Sequence, residues 1–164
     1  MGKSISFIMG TRSEKMVSGR RCWRMMTDLT YRINSASKED IGAHFKSCDS
    51  DFIDDLSAKV DLEEYADKIL SNARIYEAWL GDNLVGILAV YSNSEFDFIT
   101  NVSVSAHHAG KGSASCLLKN YLSGRRQEVR LEVAKNNLAA HQLYQKFGFE
   151  LYGEKDKSDF LRLK

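Results

Sequence analysis

Residues 101–118 read NVSVSAHHAGKGSASCLL, and the rest of the chain is placed by working outward from them. Val102 and Val104 alternate with Asn101 and Ser103 as at the end of a strand. Gly110 and Gly112 mark a turn of small residues, and Ser113 to Leu118 open a helix. A helix start leaves its first N–H groups without partners, and the aligned peptide dipoles add partial positive charge there. The glycines, with Ser113 and Ala114 behind them, keep bulky side chains away from that junction, so a phosphate or pyrophosphate can approach the main chain. Taken alone, a glycine pair after a strand also reads as a simple tight turn.

Two other phosphate-binding motifs fit poorly. A P-loop places its lysine after the second glycine, whereas Lys111 lies between the two. A dinucleotide-binding fingerprint opens a repeating βαβ pattern, but here the glycines follow a run that reads as antiparallel strands. The downstream segment is more specific. Residues 128–149, EVRLEVAKNNLAAHQLYQKFGF, form an alternating strand, a helix opened by Asn137 and a terminal Phe-Gly-Phe.

Working back toward the N-terminus, Leu29–Ile33 alternates as a first strand. Ser37 followed by Asp40 marks a helix start, with Ile41, Phe45 and Cys48 on one face. An acidic stretch, Asp49 to Asp55, separates it from a second helix opened by Asp61 and Glu64, where Leu62, Tyr65, Ala66, Ile69, Leu70 and Ala73 keep helical spacing. Residues 74–80 and 84–91 flank Gly81-Asp82-Asn83 as a hairpin with a three-residue connection. Phe96–Val104 follows, with Phe96, Phe98, Val102 and Val104 expected on one face and Asp97, Ile99, Asn101 and Ser103 on the other. Helices over 110–123 and 137–147 and strands over 128–133, 149–155 and 160–164 complete the pattern.

VSVSAHHAGKGSASCLL and LEVAKNNLAAHQLYQKFGF together resemble the two signature motifs of the GNAT superfamily of acetyl-coenzyme A-dependent N-acyltransferases. The likeness covers residues 84–155 directly, and the order of elements extends it to residues 29–164. It implies an α/β (α+β) fold of order β-α-α-β-β-β-α-β-α-β-β: a mixed, mainly antiparallel central sheet flanked by helices. In that family the strands matching 96–104 and 128–133 run parallel and splay apart. The gap exposes main-chain groups, here Val102, Ser103 and Val104, that the pantetheine arm of the coenzyme pairs with.

The same resemblance assigns roles by position. The family pattern [QR]-x-x-G-x-[GA] maps onto Ala109, Gly110, Lys111, Gly112, Ser113 and Ala114, whose amides would grip the pyrophosphate of acetyl-CoA. The chain departs from the pattern at Ala109, which replaces a long polar side chain, and at Ala106, where a proline is common. Asn137 reads as a helix N-cap by its residue type, and the resemblance adds a contact to the pantetheine arm. Tyr144 matches the tyrosine that serves as general acid toward the coenzyme sulfur. A phenol titrates near 10 and a thiol near 8.5, so a phenol can hydrogen-bond or protonate the departing thiolate. By periodicity alone Tyr144 reads as a core residue beside Ala140, Leu143 and Phe147, and it is the motif that makes it the acid.

An ammonium acceptor must lose a proton before it attacks. Many relatives place a glutamate for this on the fourth strand, where Phe98 stands here. Glu77, which alternates with Ile75 and Trp79, is the first candidate for catalytic base; Asp97, Glu132, His107 and His108 are the others, and each also reads as a solvated surface group. His44 and His141 read as helix-surface residues, and no His/Cys/Asp group has metal-ligand spacing, so no metal is expected.

Composition sets the outer bounds. A chain of 164 residues with 43% hydrophobic content fits one domain with a full core, here residues 27–164. Twenty-three Lys and Arg against 22 Asp and Glu leave no global field for nucleic acid. Three scattered cysteines suit a reducing, cytoplasmic setting, with Cys116 in the core. No apolar run suits a membrane span. Residues 1–26 are basic and without a sustained period, and read as a disordered extension; a transit peptide and a myristoylation site are weaker readings. The expected partner is a small-molecule amine, with an amino-sugar nucleotide suggested by a soft likeness of residues 52–93 to acetyltransferases encoded with surface-polysaccharide genes. Substrate choice would lie in the first two helices and the loop between them, residues 45–60. A non-catalytic acyl-CoA sensor and a protein N-acetyltransferase are the alternatives, and the oligomeric state, a homodimer included, is open.

Overall fold

A computed structural model describes residues 28–164, so the extension expected over residues 1–26 lies outside the described residues. Strand β1 (Leu29–Ile33) leads into helix α1 (Lys38–Ser47). Ser37 and Asp40 form a reciprocal capping box there, each side chain binding the other's amide. Asp61 likewise caps helix α3 (Leu62–Asn72) by accepting from the amides of Glu63 and Glu64.

The acidic stretch between them is itself helical, which the sequence pattern does not show. Helix α2 (Ser50–Ser57) is capped by Asp49, whose side chain accepts from the Asp51 amide. Its Phe52, Ile53 and Leu56 pack on the core beneath. Two turns give too few apolar repeats for a period to emerge from four aspartates.

The remaining elements are β2 (Arg74–Leu80), β3 (Asn83–Ser92), β4 (Phe96–Val104), α4 (Ser113–Ser123), β5 (Glu128–Ala134), α5 (Leu138–Lys146), β6 (Glu150–Glu154) and β7 (Ser158–Leu163). They build one seven-stranded sheet ordered β1-β2-β3-β4-β5-β7-β6, in which only β4 and β5 are parallel. One face carries α1 and α3 over Ile41, Phe45, Ile69, Trp79 and Ile87. The other carries α4 and α5 over Leu117, Leu118, Val129, Leu131 and Tyr144. This is the mixed, mainly antiparallel arrangement expected.

Two local differences matter. The β2–β3 hairpin turns on two residues rather than three, because Leu80 pairs with Asn83 and Gly81 takes φ +59°, which glycine adopts freely. The second concerns β4. Asn101 is opposite Ala89 and Ile99 is opposite Val90, which leaves Thr100 as an extra residue in a bulge. Before it, Asp97 and Ile99 face α4, since Asp97 Oδ2 accepts from Tyr121 Oη at 2.8 Å and Ile99 joins the Leu117 cluster. After it, Ser103 faces α1, with Oγ 2.9 Å from His44 Nε2, while Val102 packs on the α4 side. The single face expected for Phe96, Phe98, Val102 and Val104 is therefore divided, because an extra residue inverts the alternation.

Glu77 is fully buried and does point to the Ile75–Trp79 side. Its carboxylate accepts from the amides of Ser35 (2.8 Å) and Ala36 (2.9 Å), the Ser35 hydroxyl (2.5 Å) and Trp79 Nε1 (2.9 Å). Three of these donors tie the β1–α1 connection to β2, and Trp79 supplies the fourth from β2 itself. Glu77→Gln turns an NH2 toward these donors, and each stranded buried donor costs about 1–3 kcal/mol. Urea denaturation should register a loss of about 2–4 kcal/mol on that basis.

Candidate active site

The β4–β5 pairing ends at Ile99 opposite Leu131. Beyond it lies a cleft of about 750 Å³ whose lining includes Val102, Ser103 and Val104. Ala109, Gly110, Gly112, Ser113 and Ala114 line it as well, as do Asn137 and Tyr144. Residues from three separate elements, β4, α4 and α5, and from the turn before α4 are thereby brought to one space. Of the residues expected to hold the coenzyme, Lys111 alone is not in the lining: it is half-buried in the turn, where its Nζ donates to His107 O at 2.7 Å.

The turn takes its shape from two left-handed glycines, Gly110 at φ +72° and Gly112 at φ +89°. Gly112 is the N-cap of α4 and brings no capping side chain. The amide of Cys116 bonds Gly112 O at 3.0 Å. The amides of Ser113, Ala114 and Ser115 precede that bond, so they are donors offered at the positive end of the helix. Asn137 caps α5, its Oδ1 accepting from the Ala140 amide at 3.1 Å. Tyr144 is 6% exposed, with its ring 5.4 Å from that of Phe149. Burial pushes its phenol above the ordinary tyrosine value, so the hydroxyl stays protonated near neutral pH.

The base expected at Glu77 does not fit this geometry. Its oxygens are taken up by four donors, and it is not among the residues lining the cleft. Asp97 is also engaged elsewhere: burial raises its pKa, but hydrogen bonds from Ser92, Tyr121 and Gln127 outweigh that and hold the carboxyl below its ordinary value. Glu132 accepts from Ser158 Oγ and lies 3.5 Å from Lys155 Nζ, away from the cleft. His107 borders a separate cavity, while His108 does line the cleft, at its turn end. Burial and then the charges of Lys111 and His107 lower its pKa.

The comparisons agree with this architecture. The sequence profile described as Acetyltransferase (GNAT) family matches residues 39–149. The chain belongs to the GNAT acetyltransferase family. Among solved structures, this GNAT domain is similar to a GNAT family acetyltransferase from Elizabethkingia anophelis with acetyl-CoA bound (TM-score 0.55, 18% identity, 62% of this chain and 82% of that one). It is similar also to the PaiA N-acetyltransferase of Thermoplasma acidophilum in complex with coenzyme A (TM-score 0.62, 15% identity, 82% and 98% covered). A third is Arabidopsis thaliana Naa50 in complex with the bisubstrate analogue CoA-Ac-MVNAL (TM-score 0.50, 25% identity, 55% and 72% covered). At these identities the likenesses to the first two show the fold. No curated protein sequence matches the chain significantly. Among the described residues no helix is long and apolar enough to cross a membrane, and no group of His, Cys, Asp and Glu is arranged to hold a metal.

One feature of the GNAT domain reverses the sequence reading. His44 is not on the helix surface but 1% exposed, on the side of α1 that meets the sheet. Its Nδ1 lies 3.3 Å from Leu84 O, and its Nε2 lies 2.9 Å from Ser103 Oγ and 3.6 Å from Cys48 Sγ. A histidine at i+3 from Ile41 reads as either face until the sheet is present. His141 too is half-buried, 3.6 Å from Asp159 Oδ2.

Burial pushes the His44 imidazole down to about 4, against an ordinary 6.5. A lowered cation pKa means that the unfolded chain binds the proton more readily. The stability contributed by neutral His44 is then complete above pH about 6.5 and lost as pH falls through about 4. Unfolding free energies from urea titrations across that window should fall for the unaltered protein by roughly 3 kcal/mol in all. His44→Gln, though less stable at neutral pH, should lack that part of the slope.

Proposed function

We propose that the protein is an acetyl-CoA-dependent N-acetyltransferase that transfers the acetyl group to a primary amine by direct attack in a ternary complex. The observation that carries this reading is one cleft with free first-turn amides and a protonated phenol, Tyr144, in the same lining. Acetyl-coenzyme A fits that distribution. Its pyrophosphate suits the amides of Ser113, Ala114 and Ser115, and its amide-bearing arm suits the main chain of Val102 to Val104 where β5 no longer pairs. Asn137 and Tyr144 complete the proposed contacts. The structures with acetyl-CoA and coenzyme A bound, in proteins of this fold, support the choice of donor.

Tyr144 is the proposed acid, handing its proton to the sulfur as the C–S bond breaks. The acceptor reading is a small-molecule amine, and an amino-sugar nucleotide is the particular candidate. Asp49, at the cap of α2, lines the cleft and gives a cationic acceptor a carboxylate to approach. A protein or peptide amine is the second reading, favoured by the peptide analogue bound to the Arabidopsis relative.

Acetyl-CoA at about 100 times its Kd should add about 2.7 kcal/mol to stability, read as a rise in Tm. Tyr144→Phe should keep that rise and lower kcat by about ten- to a thousandfold, measured as thiol release over a panel of amines. Tight coenzyme binding with no turnover on any amine or peptide would instead identify a sensor. Ala109 is exposed in the turn, and Ala109→Arg restores a charged side chain near the phosphates. A charge-assisted bond of about 1.5 kcal/mol there tightens coenzyme affinity about tenfold by calorimetry.

A further inference from the structure

We propose that His44 and Ser103 form a proton relay, in which Ser103 accepts a proton from the attacking amine as its own hydroxyl proton passes to His44. The proposal rests on the acetyltransferase reading and fills the role that Glu77, Asp97 and Glu132 leave vacant. Ser103 lines the cleft, and its Oγ lies 2.9 Å from His44 Nε2. Leu84 O can only accept, so the bond at 3.3 Å places the imidazole hydrogen on Nδ1, and Nε2 is the bare nitrogen. The Ser103 hydroxyl has one hydrogen and two acceptors at 2.9 Å, His44 Nε2 and Asn101 Oδ1. Turning between them lets it deliver that hydrogen to Nε2. Ser103 Oγ, the imidazole and Leu84 O are thus joined through contacts of 2.9 Å and 3.3 Å.

Atoms balance as follows. The amine nitrogen bonds the acyl carbon and gives a proton to Ser103 Oγ, and the serine hydrogen moves to His44 Nε2. The C–S bond then breaks with its electron pair on sulfur, which takes the Tyr144 proton. His44 loses its proton and Tyr144 regains one through water. Burial of His44 keeps it neutral at rest, with Nε2 free of a proton. The outlet is a second cavity of about 350 Å³ that His44 borders with Asp40, Asp82, His107 and His108. Among the described residues, those four, with Cys48 at 3.6 Å from Nε2, are the titratable groups around the imidazole.

The test uses hydroxylamine, a primary amine small enough for any acceptor pocket, with acetyl-CoA, following thiol release and hydroxamate. His44→Gln and Ser103→Ala should each lower kcat about a hundredfold, with the acetyl-CoA KM and the coenzyme-induced rise in Tm retained. The double variant should be no slower than the worse single one, and Ser103→Thr should recover at least about tenfold over Ser103→Ala. The His44→Gln deficit should shrink from about pH 6 to about pH 9, as hydroxide takes the proton instead. A deficit constant across pH, or both variants within about twofold of the unaltered protein, overturns the relay and leaves the acetyltransferase reading standing. So does a deficit of this kind in His108→Gln alone. Thiol release absent from the unaltered protein, with Tm still raised by coenzyme A, overturns the relay together with catalysis.

Discussion

Strands β4 and β5 pair from Phe96 to Ile99 and then part, and the site depends on that interruption. A parallel ladder that continued to Val104 would have satisfied its own N–H and C=O groups and left no cleft. The bulge at Thr100 sits at the point of separation. An extra residue increases twist and bends the strand that carries it, so the two strands diverge over Asn101–Val104. Buried main-chain groups need partners. Here the space between the strands is open to an extended ligand that carries its own amides.

The same bulge decides which side chains lie on either side of the sheet. Without it, Asn101 and Ser103 would continue the row of Asp97 and Ile99 toward α4. Instead they turn toward α1, where His44 fills the position above them. A short run of polar groups is thus enclosed between an apolar helix face and the cleft. Buried polar groups of this kind are tolerated because each has a partner, and the partners fix their orientation.

Two buried carboxylates show how residue type can mislead. Glu77 and Asp97 lie on opposite faces of the sheet, and both hold connections together: Glu77 joins the segment after β1 to β2, while Asp97 joins β4 to α4 through Tyr121. Donors already at hydrogen-bond distance occupy the lone pairs a base would use. Glu77, Asp97 and Glu132 are absent from the lining of the cleft, whereas His108 is part of it.

Much of the chain could be read without coordinates, because its signals are local. Ser37, Asp61 and Asn137 mark helix starts by bonding amides two or three residues on. Gly110 and Gly112 adopt left-handed backbone that their missing Cβ permits, and the apolar spacing of α3 names its buried face. Tyr144, four residues past Ala140, could be placed on the cleft side of α5 through its motif. What the letters do not hold is anything set by a partner distant in the chain. The skipped residue at Thr100 is defined only against β3, the inward turn of His44 only against Leu84 and Ser103, and the saturation of Glu77 mainly by donors about forty positions earlier. Capping and backbone freedom act over one turn and so are written in sequence; register, burial and the closing of hydrogen bonds across a sheet are settled when strands meet.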